Sequence, residues 1–225
     1  MSHVQEQIVE LSQHLCHRGF FAATGGNLAL RLDAQHIAVT PSATDYFAMR
    51  PEDVCVLRLK DLAQISGERA PSVESGLHAK ILRARPDVQC SIHTHQPVAS
   101  ACTLLGKPME VPDPALWDCL GKHIPLVGYA PSGSSWLAGK FGRAIRWDYN
   151  AYLMRNHGVL CCGPDVQTTL LRLESLETFC RDYLLRQITE QSRHQSQSPA
   201  AVARLVDALM RSNAADAHIS SEIPS

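Results

Sequence analysis

Apolar positions recur at helical spacing in the first segment, where Val4, Ile8, Leu11 and Leu15 form one stripe and Gly19 supplies a stop. The period then changes. Residues 27–32 and 36–40 have the length and composition of strands, with Asp33-Ala34-Gln35 as a turn between them. Pro51 breaks the chain ahead of a third strand-like run at 54–59. Ser72 can cap a helix that buries Leu77, Ile81 and Leu82 and ends at Pro86. An apolar strand over 88–94 follows, and Pro97 suits the first position of another helix. Residues 107–133 are rich in Pro and Gly and predict irregular backbone around a short strand at 124–127. A helix over 134–145 leads to a strand at 152–155, and Leu170, Leu173, Cys180, Leu184 and Ile188 keep helical register through 166–191. The polar, Gln/Ser-rich stretch 192–198 predicts a linker, with a short amphipathic helix over 200–211. Helices and strands alternate, but the early hairpin predicts a mixed sheet covered by helices rather than a purely parallel one. One α/β domain is expected over 1–195, followed by a tail at 196–225.

Composition narrows the class. The 225 residues are 45% hydrophobic and 19% charged, an ordinary globular balance that excludes wholesale disorder. Lys and Arg total 21 against 22 Asp and Glu, a net charge of −1, so no basic surplus exists to neutralise a nucleic-acid backbone. Apolar runs are too short for a membrane span, and no apolar signal core is visible at the start. A soluble cytoplasmic protein is the expectation. None of the eight cysteines is spaced Cys-x-x-Cys and most lie in apolar runs, which predicts buried free thiols in a reducing compartment.

The chemistry concentrates in a few segments. His93-Thr94-His95 closes the apolar strand, and residues two apart project from one face, so both imidazoles can reach one ion. Two unrelated surface histidines would look the same. Arg155-Asn156-His157-Gly158 closes another apolar strand, with Gly158 permitting a sharp backbone turn, and His157 becomes a third ligand if the two strands share a sheet. Three ligands with an open position suit a catalytic metal, for which zinc fits three imidazoles best and manganese, cobalt and iron remain alternatives. Glu74 falls at the start of the Ser72 helix, where a carboxylate is favoured by the helix dipole and could also move a proton in a nearby site. His78, one turn on, suits a packing or hydrogen-bonding role. Thr24-Gly25-Gly26-Asn27 can form an anion nest, and the loops Thr40-Pro41-Ser42 and Pro71-Ser72 offer further hydroxyls.

Taken together, the order Thr-x-Gly-Asn, Thr-Pro-Ser, Pro-Ser-x-Glu, His-x-His and Asn-His-Gly resembles the class II aldolase/adducin-head family over about residues 4–190. The resemblance implies a single α/β domain with a mostly antiparallel central sheet flanked by helices. It also implies a homotetramer with active sites between subunits. His93, His95 and His157 match the family's metal triad, and Glu74 its catalytic carboxylate. Thr24, Gly26, Asn27, Ser42 and Ser72 match positions that hold a substrate phosphate. The implied activity is metal-dependent cleavage of a carbon–carbon bond in a small phosphorylated ketose. Decarboxylation, 4-epimerisation and dehydration are the alternatives within the family. A non-enzymatic adducin-type interaction module would be expected to lack the ligands that are present here. Two positions depart from the pattern: Ala43 replaces a common Gly, and Val73 a common Ser.

Overall fold

Apolar side chains that alternate along the central strands give the sheet two buried faces, each covered by helices. The structure, a computed structural model, describes residues 2–22, 25–194 and 204. The chain begins with α1 (Ser2–His17), β1 (Asn27–Arg31), β2 (His36–Val39), β3 (Cys55–Arg58) and β4 (Gln64–Ser66). Next come α2 (Ser75–Ala84), β5 (Cys90–Thr94), α3 (Pro97–Cys102), β6 (Met109–Glu110) and α4 (Trp117–Leu120). Last are β7 (His123–Ile124), β8 (Leu126–Val127), α5 (Ser135–Ala144), β9 (Ala151–Met154), β10 (Gly158–Gly163) and α6 (Val166–His194).

Eight strands form the main sheet in the order β4-β3-β2-β1-β5-β10-β9-β8, and every neighbouring pair is antiparallel except β8 with β9. Leu28, Leu30, Ala38, Ile92, Val159, Cys161 and Leu153 pack with residues of α1, α3 and α6. Their alternate neighbours Ala29, Ile37, Val39, Leu160, Cys162, Tyr152 and Met154 pack with α2 and α5. The period of two thus sorts the strand residues into two cores. The expected mixed sheet is present. All eight cysteines are free and six are buried, in line with the thiol assignment.

Several local expectations are corrected. The strand expected at 124–127 divides at Pro125: Ile124 pairs with Met109 in a separate two-stranded sheet, whereas Leu126 joins Leu153 in the main one. Proline has no N–H for a ladder, so the chain changes sheets there. The segment expected to be irregular also contains α4. The helix expected from Ser72 begins at Ser75 with Glu74 at its cap position, because Ser72 Oγ accepts the Glu74 N–H inside a preceding turn. Three strands went unanticipated, β6 among them. β4 is a short, wholly exposed edge, and β10 is wholly buried and lacks alternation. Ser192, Arg193 and His194 extend α6 rather than start the linker. The rest of that linker, the domain boundary at 195 and nearly all of the 200–211 helix lie outside the described residues.

Ala43 has φ 47°, in the left-handed region that its family position would give to glycine. An alanine there costs about 1–2 kcal/mol, and a glycine gives back roughly 0.5–1 kcal/mol in backbone entropy. Ala43→Gly should therefore raise stability by up to about 1 kcal/mol, seen as a melting temperature higher by about 2–4 °C. A fall in the melting temperature would show that this backbone is unstrained.

Candidate metal centre and active site

β5 lies between β1 and β10, with Asn27 opposite His93 on one side and Leu160 opposite it on the other. His93 is fully buried on the face covered by α2. His95 sits just beyond the strand, where its N–H donates to Phe20 O at 3.2 Å. His157 arrives from the turn between β9 and β10, in which Asn156 takes φ 54°, a left-handed conformation that asparagine tolerates. The strand of 152–155 is in the same sheet as β5, as the shared site requires, but β10 separates the two. The ligand therefore comes from a hairpin turn and not from an adjacent strand end.

The three rings meet. One nitrogen from each lies within 4.8 Å of the others, and the ring centroids are 4.8, 4.8 and 5.3 Å apart. His93 Nδ1 donates to Val159 O at 2.7 Å, because a carbonyl can only accept. His93 Nε2 then faces His95 Nε2, only 3.0 Å away. Burial, followed by the neighbouring His93 and His157, pushes the His95 imidazole down to about 4, so it is neutral at neutral pH. Three imidazole nitrogens, one with its tautomer fixed by a backbone carbonyl, are a donor set that fits a borderline-soft divalent cation.

Gly158 has a packing role that differs from the expected freedom to turn. A Cβ on it would lie 2.4 Å from Thr94 O, 2.6 Å from His95 Cδ2 and 3.0 Å from His93 Cε1. Only a residue without a side chain lets the hairpin close on these rings.

Glu74, only 5% exposed, faces this cluster. Its Oε2 lies 3.2 Å from His93 Nε2 and its Oε1 lies 3.1 Å from His157 Nε2. Asn27 Nδ2 donates to Oε2 at 2.9 Å and Ser132 Oγ to Oε1 at 2.8 Å. Burial alone would raise this acid, but the hydrogen bonds from His157, His93 and Asn27 prevail and hold it well below the usual carboxylate range. An imidazole nitrogen that ligates a cation has no proton to donate. With an ion bound, Asn27 and Ser132 remain as the neutral anchors of the carboxylate.

The expected anion loops meet in part. Ser42 N–H donates to Ala70 O, Ser72 N–H donates to Thr40 O, and Pro41 bridges Pro71, so the two serine loops lie side by side. Gly26 has φ 92° and rests on the Phe21 ring, and its carbonyl accepts the Tyr46 hydroxyl at 2.6 Å. Asn27 does not point a free amide into this region, because both ends of its side chain are engaged by Glu74 and His78. Thr24 lies outside the described residues. Sequence reasoning missed Ser132 and Tyr46. The turn Pro131-Ser132-Gly133 ahead of the Ser134 helix cap was the available signal for Ser132.

The sequence profile of the Class II Aldolase and Adducin N-terminal domain matches residues 6–184. The chain is 32% identical over 178 residues to a 5-deoxy-D-ribulose 1-phosphate aldolase of Bacillus thuringiensis serovar kurstaki, covering 78% of this chain and 81% of that one. It is 28% identical over 179 residues to an L-fuculose phosphate aldolase of Methanococcus maripaludis, covering 77% and 95%. A solved L-fuculose 1-phosphate aldolase superposes with TM-score 0.76 at 23% identity, covering 93% of this chain and 97% of that one. YgbL of Escherichia coli, described as a putative aldolase/epimerase/decarboxylase, gives 0.74 at 22%, covering 91% and 98%. At those identities the two structures speak for the fold alone. With the profile and the sequence relatives, the chain belongs to the class II aldolase and adducin N-terminal domain family.

Proposed function

We propose that this protein is a divalent-metal aldolase that cleaves, and in reverse forms, a carbon–carbon bond in a small phosphorylated ketose. The observation that carries this reading is the buried Glu74 carboxylate, anchored by Asn27 and Ser132 and turned toward three converging imidazoles. The relatives named for 5-deoxy-D-ribulose 1-phosphate and L-fuculose phosphate support the substrate class.

His93, His95 and His157 would hold the ion, and zinc suits three imidazoles best, ahead of manganese, cobalt or iron. Once bound, the ion supplies a Lewis acid for the negative charge that develops on the ketose oxygens during cleavage. In cleavage, the bonding pair passes to the carbon beside the ketone carbonyl. The hydroxyl on the departing carbon loses its proton and becomes an aldehyde. Glu74 takes that proton and returns it to the carbon that kept the electron pair, so each turnover begins and ends with a carboxylate. Asn27 and Ser132 keep the carboxyl group aimed through both transfers.

Thr24, Gly26, Asn27, Ser42 and Ser72 would hold the phosphate. The side-by-side serine loops support this assignment, and Asn27 enters the set with its side chain already committed to Glu74. A homotetramer and a cytoplasmic location belong to the same reading. Exposed Phe47, Leu104, Tyr129 and Trp136 offer apolar surface for further burial, and eight free thiols suit a reducing compartment. Among the described residues, no helix is long and apolar enough to cross a membrane.

Glu74→Gln should keep the bound metal, measured by elemental analysis, while cleavage of ketose 1-phosphates falls by about 10²–10⁴-fold. Full activity would remove Glu74 from the chemistry, and release of carbon dioxide without any aldehyde would overturn the aldolase assignment. Chelation should abolish cleavage and added zinc should restore it. Gly158→Ala pushes a methyl group against His95 and His93, so it should weaken metal affinity by about 10–100-fold in a chelator competition, the size expected when a ligand's support is disturbed. Unchanged affinity would show that the hairpin can relax away from the rings.

A further inference from the structure

We infer that His78 is a positioning residue that, protonated at Nε2, holds the orientation of the Asn27 amide and through it the aim of Glu74. This inference rests on the catalytic role proposed for Glu74.

His78, Ser91 and Asn27 come from α2, β5 and β1, and all are buried on the sheet face that carries His93. Ser91 Oγ lies 2.8 Å from His78 Nδ1, and His78 Nε2 lies 2.8 Å from Asn27 Oδ1. Asn27 Nδ2 lies 2.9 Å from Glu74 Oε2. Chemistry fixes the polarity of this chain of bonds from one end. An ionised carboxylate only accepts, so the group facing Glu74 must be the amide N–H₂. The opposite end of Asn27 is then its carbonyl oxygen, which requires an N–H on His78 Nε2. Burial pushes His78 down to about 3, so the ring is neutral and carries a single proton. Nδ1 is therefore the acceptor and Ser91 the donor.

The alternative arrangement is self-defeating. With the proton on Nδ1, the Nε2 lone pair would attract the Asn27 N–H₂ and turn the amide over. Asn27 Oδ1 would then face the largely buried Glu74 carboxylate, acceptor against acceptor. Ser132 would remain as the neutral donor described on the carboxylate. The two ends of the amide are nearly the same shape, so its orientation rests on the carboxylate at one end and on the His78 N–H at the other.

The zinc-loaded protein with ¹⁵N-labelled histidine tests this directly. Long-range proton–nitrogen correlation should give His78 the signature of a neutral ring protonated at Nε2. A ring protonated at Nδ1, or at both nitrogens, overturns the inference. His78→Gln keeps an N–H where Nε2 stood and should retain kcat within about threefold, whereas His78→Leu should lower kcat by about 10–100-fold with KM and zinc content nearly unchanged. Full activity of His78→Leu, or a loss shared equally by kcat, KM and zinc content, overturns it. Should His78→Leu fail to fold, the tautomer of the unsubstituted protein and the kcat of His78→Gln still decide, and a ring protonated at Nδ1 or a His78→Gln loss beyond about tenfold is equally decisive against it. The two proposals fail separately. An active Glu74→Gln removes the catalytic role, whereas an inactive Glu74→Gln beside a fully active His78→Leu removes only the positioning role.

Discussion

His93 is flanked in the sheet by Asn27 of β1 and Leu160 of β10, and this register fixes where the other groups of the site can stand. It turns Ser91 and His93 toward α2, where His78 and Glu74 wait, and sends Ile92 into the opposite core. A slip of one residue would exchange those faces and put an imidazole among the apolar side chains below α3 and α6. Such a slip is opposed on both sides, because β1 and β10 each have their own alternation to satisfy. The same two cores that stabilise the fold therefore also hold the register of the site.

Placing a carboxylate inside this frame is costly, since an ion moved out of water loses several kcal/mol of hydration even after the protein relaxes. Glu74 recovers much of that through directed donors rather than through one counter-ion. Asn27 and Ser132 supply neutral hydrogen bonds from different elements, and two imidazoles supply the rest. His78 is buried for a different purpose. It stays neutral, and both ring nitrogens are satisfied by uncharged partners. The site thus separates a group that must carry charge from one that must not.

The metal candidates were legible because a strand announces itself twice, by its apolar run and by the two-residue repeat that placed His93 and His95 on one side. His157 was legible as the end of another apolar strand and through its place in the motif order. The strand after it, β10, is a continuous apolar run between glycines, and periodicity cannot distinguish such a run from other buried segments. Without β10 the sequence could not show that His157 belongs to a turn. Glu74 was placed near its true position, but its anchors were not visible: Ser132 is 58 residues away and contributes a single hydroxyl from a Pro/Gly-rich loop. Asn27 was recognised as polar and near the site, yet its partners depend on β1–β5 register and on the helix above, neither of which a local motif encodes. The role of Gly158 was misjudged for the same reason, since its close contacts are to residues of another strand end.

The three imidazoles are not held equally, and the difference follows from the backbone beneath each. His93 lies within a strand bonded on both sides, with its ring tied to Val159 O. His95 is past the ladder but between two tethers, its own N–H on Phe20 O and the first turn of α3 behind it. There the Val98 and Ala99 N–H groups each donate at 2.8 Å to the buried Glu177 carboxylate of α6. That pairing satisfies orphan donors of the helix start and fixes α3 against α6, so the segment carrying His95 cannot pivot freely. His157 has only the hairpin turn, closed by its N–H to Met154 O and by the left-handed Asn156. Its side chain is also less enclosed, at 10% exposure against none for His93. Of the three supports, the turn is the one with fewest constraints. Were the cage to hold ions of different radius, the turn carrying His157 would be the first of the three supports to give, with His93 and His95 keeping the frame to which Glu74 is aimed.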